Sequence, residues 1–151
     1  MIIRKYSQND LSAMAELFYD TVHTTCAKDY TKEQLDAWAA GDIDFDEWNK
    51  SFLKHQSVVA EKNGIILGFG DMDQSGYLDR LYVHKDYQGC GIASAVLNEL
   101  EKNICALKFS TYASITARPF FEKRGYKVVK ENSVNRRGVF LTNYLMEKIA
   151  E

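Results

Sequence analysis

The residues Gly76-Tyr77-Leu78-Asp79-Arg80-Leu81-Tyr82-Val83 form an apolar, β-branched and aromatic run. After it come the short polar link His84-Lys85-Asp86-Tyr87 and then Gln88-Gly89-Cys90-Gly91-Ile92-Ala93-Ser94. Glycines at 89 and 91 open directly onto an amphipathic segment from Ile92 to Leu100, so the pattern predicts a strand, a tight turn and a helix. Glycine lets the backbone approach a ligand without interference from Cβ. The free amides of a first helical turn also lie at the positive end of the helix dipole. Such a turn either holds an anion, with pyrophosphate the natural candidate, or simply starts a helix. A dinucleotide fingerprint would need a third glycine where Ser94 stands and a ribose-binding acid on a later strand. A nucleotide P-loop would need a Gly-Lys-Ser/Thr ending, which is absent.

The rest of the chain supplies elements around this unit. Ile2 to Tyr6 reads as a strand, and Ser7 to Asp10 caps a helix from about Leu11 to Thr24 whose apolar residues share one face. Thr31, three residues before Gln34, has capping-box spacing for a helix through Ala40, ended by Gly41. Another helix runs from Asp44 or Asp46 to about Lys54. Asn63-Gly64 between two apolar runs, 57–62 and 65–70, is a strong hairpin signal. Beyond the central helix, strands are expected over 106–112, 126–130 and 139–147, with a short helix over 116–125 and a turn at Arg136-Arg137-Gly138. Alternation along the central strand places Tyr77, Asp79 and Leu81 on one face and Leu78, Arg80 and Tyr82 on the other.

A chain of 151 residues, 46% hydrophobic, is expected to form a single domain over 1–151 with one α/β core. A net charge of −2 argues against a nucleic-acid-binding surface. Cys26, Cys90 and Cys105 are an odd number without CxxC spacing, and the histidines do not cluster, so neither a disulfide framework nor a metal site is expected. The N-terminus lacks a signal-peptide pattern and no apolar run approaches bilayer length, which predicts a soluble cytoplasmic protein with no membrane association.

Gln88-Gly89-Cys90-Gly91-Ile92-Ala93 resembles the Q/R-x-x-G-x-G/A signature of the GNAT superfamily of acetyl-CoA-dependent N-acetyltransferases. Leu81-Tyr82-Val83 matches the Leu-x-Val that the superfamily places before it. Ala117-Arg118-Pro119-Phe120-Phe121-Glu122-Lys123-Arg124-Gly125-Tyr126 matches its later helix, A-x-x-F/L-Y-x-x-x-G-F/Y, with one departure. The segment from Ala113 to Glu122 looks like the bacterial YafP-like subgroup. The resemblance covers nearly the whole chain. It implies a GNAT fold: a mixed, mostly antiparallel sheet of six or seven strands, helices on both faces, and a cofactor cleft where two parallel strands part.

It implies further that acetyl-CoA is the cosubstrate, with no metal, and that a primary amine of a small molecule or peptide attacks it directly. The protein would act as a monomer or homodimer. Cofactor contacts carried over are Leu81, Tyr82 and Val83 on the strand, Gln88, Gly89, Cys90, Gly91, Ile92, Ala93 and Ser94 at the turn, and Ser114 and Phe121 beyond. The oxyanion would meet a main-chain amide near Tyr82. Several relatives carry a glutamate that activates the amine where Tyr77 stands, so Asp79, the nearest carboxylate on the same expected face, is the candidate base or else a solvated or arginine-paired aspartate, with Tyr77 as a relay or packing residue. The departure is Phe121, which has no proton to give where relatives place a donating tyrosine. Tyr82, Tyr112 and Tyr144 are the possible substitutes, or the thiolate leaves unaided. The departure also keeps open an acyl-CoA-binding regulatory or interaction protein.

Other residues read more plainly. Cys90 sits at a helix start that would lower its pKa but reads as filler in the motif. Among the histidines only His23 is placed near an expected acceptor site. Trp38, Trp48 and Phe45 read as core, or one of them as the wall of an acceptor pocket, and Arg136 and Arg137 as decoration of a hairpin or contacts to a carboxylate-bearing acceptor.

Overall fold

The computed structural model describes residues 1–151. Seven strands form one sheet in the order β1 (Ile2–Lys5), β2 (Gln56–Lys62), β3 (Ile65–Met72), β4 (Tyr77–Val83), β5 (Lys108–Ser114), β7 (Val139–Ile149), β6 (Lys127–Arg136). Every neighbouring pair is antiparallel except β4 and β5, which run parallel. Helices α1 (Leu11–Thr25), α2 (Lys32–Trp38) and α3 (Phe45–Lys54) cover one face, and α4 (Ile92–Asn103) and α5 (Arg118–Lys123) the other. No helix is long and apolar enough to cross a membrane.

Local chemistry explains the element ends. The Gln34 amide donates to Thr31 Oγ1 at 3.2 Å and the Thr31 amide to Gln34 Oε1 at 2.9 Å, which closes the capping box of α2. Asp44 Oδ1 accepts from the Glu47 amide at the start of α3. The β2–β3 hairpin turns at Asn63 and Gly64, both with positive φ. Helix α4 buries Ile92, Val96, Leu97 and Leu100 against the sheet, about 1.5–3 kcal/mol for each side chain removed from water. It lies close because Gly70 carries no side chain: a Cβ there would stand 2.9 Å from the Arg80 carbonyl oxygen and 3.1 Å from Val96.

Two expectations are corrected. The last hairpin has a ten-residue first strand, Lys127–Arg136, rather than one ending at 130. As the edge strand it exposes both faces over much of its length, so the polar stretch Glu131-Asn132-Ser133 needs no apolar alternation to pair with β7. The alternation expected along β4 is also broken. Asp71 pairs with Arg80 but Met72 pairs with Leu78, which leaves Asp79 as the extra residue of a β-bulge. Leu78 and Leu81 therefore both belong to the α4 side, whereas Tyr82 packs into the α1–α3 core and Arg80 stacks on Phe52 there.

Candidate active site

Strands β4 and β5 are paired only at Tyr77 with Ser110 and Leu78 with Thr111, where Thr111 Oγ1 also donates to the Leu78 carbonyl. Beyond that tie they separate, while β4 stays paired to β3 as far as Val83. A cleft of about 680 Å³ opens in the gap. Leu81, Tyr82, Val83, Gln88, Gly89, Gly91, Ile92, Ala93, Ser94, Ser114 and Phe121 all line it. Cys90, expected among the cofactor contacts, does not line it: its exposed sulfur turns back toward the Gln88 carbonyl.

The turn is held open toward this cleft. Gln88 Nε2 and Thr21 Oγ1 each donate to the Val83 carbonyl at 2.8 Å, tying the turn and α1 to the end of β4. Gly89 (φ 72°) and Gly91 (φ 80°) have the left-handed conformation that side chains resist. The first bond inside α4 is from the Ala95 amide to the Gly91 carbonyl, and no protein acceptor takes the amides of 88–94. A concave run of such donors at a helix start is a site for phosphate. Lys28 and Lys123 also line the cleft. Sequence reasoning missed both, since one lies just past α1 and the other in a variable place of the α5 motif.

Phe121 is 3% exposed and packs edge-on against Tyr126 and Phe120, so it shows the cleft only a margin of its ring. Ser114 Oγ accepts from the Ala117 amide at 3.0 Å and keeps its proton free to donate.

A second cavity, of about 120 Å³, adjoins the cleft and shares Trp38, Tyr82 and Ser114 with it. Tyr77, Asp79, Tyr112 and Arg136 line this cavity and not the cleft. Tyr112, whose ring lies edge-on to Tyr77, is therefore separated from the place where a thiolate would depart. Tyr144 lines neither space; Arg118 stacks on its ring. Tyr82 stands at the junction. Trp38 Nε1 donates to its hydroxyl oxygen at 3.3 Å, no protein group accepts its own proton, and burial pushes the phenol well above its ordinary range. Burial also pushes Tyr77 up to about 12, with Asp79 adding to the rise.

Asp79 is a half-exposed carboxylate 3.4 Å from Arg80 Nη2. Burial raises its pKa, the Arg80 charge opposes that rise and the Asp71 charge adds to it. Behind it is a charged group that the sequence did not reveal. Fully buried Asp71 receives Arg80 Nε at 3.0 Å and Nη2 at 2.6 Å, and His55 Nδ1 lies 2.7 Å away. Arg80 also donates to Ser51 Oγ and stacks on Phe52 with Cζ 4.1 Å from the ring centre. The donor atoms of His55, Asp71 and Asp79 lie within 4.8 Å of one another, but the guanidinium already supplies the cation there.

His55 thus serves the interior, while His23, against expectation, is fixed to the Ala39 carbonyl at 2.7 Å and lines neither space. Trp38 borders both spaces, Trp48 packs against the core, and Phe45 is exposed.

A sheet parted between two parallel strands, with an amide-rich helix start at the mouth of the gap, defines an acetyltransferase architecture of the GNAT type. Residues 26–148 match the family described as Acetyltransferase (GNAT) domain, and the chain belongs to that family. Over 144 residues it is 37% identical to the uncharacterized N-acetyltransferase YafP of Escherichia coli, an alignment covering 95% of this chain and 93% of YafP. It superposes with a TM-score of 0.93 and 31% identity on a GCN5-related N-acetyltransferase from Rhodopseudomonas palustris, over 98% of this chain and 94% of that one. The PaiA N-acetyltransferase from Thermoplasma acidophilum, solved in complex with coenzyme A, shares the fold with a TM-score of 0.78 at 22% identity, over 98% of both chains.

Proposed function

We propose that this single-domain protein transfers the acetyl group of acetyl-CoA to a primary amine of a small molecule or peptide by direct attack within a ternary complex. The observation that carries the reading is the meeting of the cleft and the smaller cavity at Trp38, Tyr82 and Ser114. A thioester reaching down the cleft and an amine in the cavity would face each other across Tyr82. The coenzyme A complex of the PaiA relative supports the choice of cosubstrate, and the unpaired amides of 88–94 with Lys28 and Lys123 suit its phosphates. Three free cysteines, one of them buried, suit a reducing cytoplasm.

In the reaction the amine nitrogen forms a bond to the thioester carbonyl carbon, the carbon–sulfur bond breaks, the amine sheds a proton and the departing thiolate takes one. Asp79 is the group assigned to the amine proton, its raised pKa suiting a base. Tyr82, which borders both spaces, is the acid, replacing the tyrosine that Phe121 displaces.

For the oxyanion, the β3–β4 register favours a different amide from the one expected at Tyr82. The His84 amide donates to the Leu67 carbonyl, and Phe69 pairs with Tyr82 two residues along, so by antiparallel alternation the Tyr82 amide faces β3. The amides of Leu81 and Val83 turn the other way, toward the cleft, and Leu81, nearer the junction with the cavity, is the one assigned to the oxyanion.

The test is acetyl-CoA consumption over a panel of primary amines. Release of coenzyme A that depends on the amine supports transfer. Cofactor binding without turnover of any amine supports the second reading, an acyl-CoA-binding regulatory protein, which Phe121 in the tyrosine position favours.

A further inference from the structure

Arg136 and Arg137 are adjacent in sequence and have opposite fates. Arg137 has positive φ in the β6–β7 turn and reaches away from the cavity to Asp42, with Nη2 2.7 and 2.9 Å from its two carboxylate oxygens. Arg136, the last residue of β6, follows Val134 on the same strand face, and Val134 packs into the α1–α3 core. That face brings the Arg136 guanidinium to the smaller cavity, where it forms no ion pair or hydrogen bond with any protein group. Asp79 lines the same cavity, yet the two charges are not paired with each other. Both still act on the Tyr77 phenol, Asp79 raising its pKa and Arg136 lowering it. Asn143 adds a further donor: its Oδ1 accepts from Asn132 at 3.0 Å, which leaves its own NH₂ group uncommitted at the cavity wall.

An unpaired cation and an uncommitted amide on one side, a carboxylate on the other and aromatic walls between them are complementary to a molecule bearing both charges. We infer that the acceptor is a small amine carrying a carboxylate on the same molecule, an amino acid in the chemical sense, with its amine toward Asp79 and Tyr82 and its carboxylate on Arg136 and Asn143. This inference rests on the transferase reading above and narrows its substrate class. An Arg–carboxylate contact is short, charge-assisted and geometrically selective, so it would orient the amine toward the thioester as well as add affinity. The open position of Arg136 keeps the expected gain modest and sensitive to salt.

The experiment compares phenylalanine, phenylalaninamide and phenethylamine, with 4-aminobutyrate and butylamine as an unbranched pair, in wild type, Arg136→Gln and Arg137→Gln. The expected result is a kcat/KM for each carboxylate-bearing amine about tenfold or more above that of its uncharged counterpart, falling as salt rises. Arg136→Gln should bring that ratio toward one, chiefly by raising KM for the amino acid. Arg137→Gln should preserve the ratio. An equal or higher value for the uncharged amines in wild type, or an unchanged ratio in Arg136→Gln, overturns the inference while leaving acetyl transfer standing. If no amine is acetylated, the transferase reading fails, and calorimetric titration of coenzyme A-saturated protein decides the inference by itself. Tighter binding of phenylalanine than of phenethylamine, lost in Arg136→Gln, supports it; equal binding or none overturns it.

Discussion

The Trp38 indole donates to the Tyr82 hydroxyl at 3.3 Å where the cleft and the smaller cavity meet, and so leaves the phenolic proton free for another acceptor. Tyr82→Phe keeps the ring in its contacts with Phe18 and Phe69 and removes only that proton. Its kcat should fall about tenfold or more, below the full range of acid catalysis because a thiolate is a fair leaving group. Phe121→Tyr in the same background should recover part of the loss, since residue 121 also borders the cleft. Steady-state rates of the single and double variants check this, and an unaffected kcat in Tyr82→Phe removes the phenol from the reaction.

Asp79→Asn keeps the shape of the bulge and removes the base. Burial shifts the Asp79 pKa upward, so the onset of base catalysis should shift upward with it. At neutral pH an alkylamine is almost wholly protonated, so the loss of turnover should be about a hundredfold or more there. It should shrink as pH approaches the pKa of the amine. A pH–rate profile with equal loss at every pH would assign Asp79 to positioning.

Removing the Asp71 charge takes the closer and fully buried partner from a guanidinium only 13% exposed and leaves it Asp79 alone at 3.4 Å. Asp71→Asn should therefore destabilise the fold by about 3–5 kcal/mol in denaturant unfolding. The same pair sets a pH dependence through His55, whose pKa is raised mainly by its hydrogen bond to Asp71. A group with a raised folded pKa contributes stability fully below its unfolded pKa, about 6.5, and loses it as pH climbs through the folded value. Wild type should lose stability across that interval, and His55→Gln should flatten the slope. A slope unchanged in His55→Gln contradicts the assignment.

Gly91→Asp puts a carboxylate and a left-handed non-glycine residue at the start of α4. Coenzyme A affinity measured by titration should fall about tenfold or more, and Gly91→Ala, which adds about 1–2 kcal/mol of backbone strain without charge, should lose less. Affinity equal to wild type in a folded Gly91→Asp protein would place the pyrophosphate elsewhere.

The features legible in the sequence are those encoded within a few residues. The Gly89–Gly91 turn, the Thr31 capping box and the Asn63–Gly64 hairpin each depend on neighbours in the chain, and all three are present. What escaped depends on distant partners. The bulge at Asp79 exists through the register with β3, and Asp71 is an unremarked acid in a strand until that register lays Arg80 along it. Strand β6 continues past 130 to Arg136 without an apolar pattern because an edge strand pairs through its backbone whatever its side chains. The separation of Arg136 from Arg137 follows from a turn whose exact residue no local pattern assigns.

The central claim is direct transfer between two substrates held together across Tyr82, and initial rates over a grid of acetyl-CoA and amine concentrations test it most directly. The structure offers a cleft and a cavity that can be filled at once, so double-reciprocal lines should intersect. Parallel lines, the signature of an acetylated enzyme intermediate, would contradict the account.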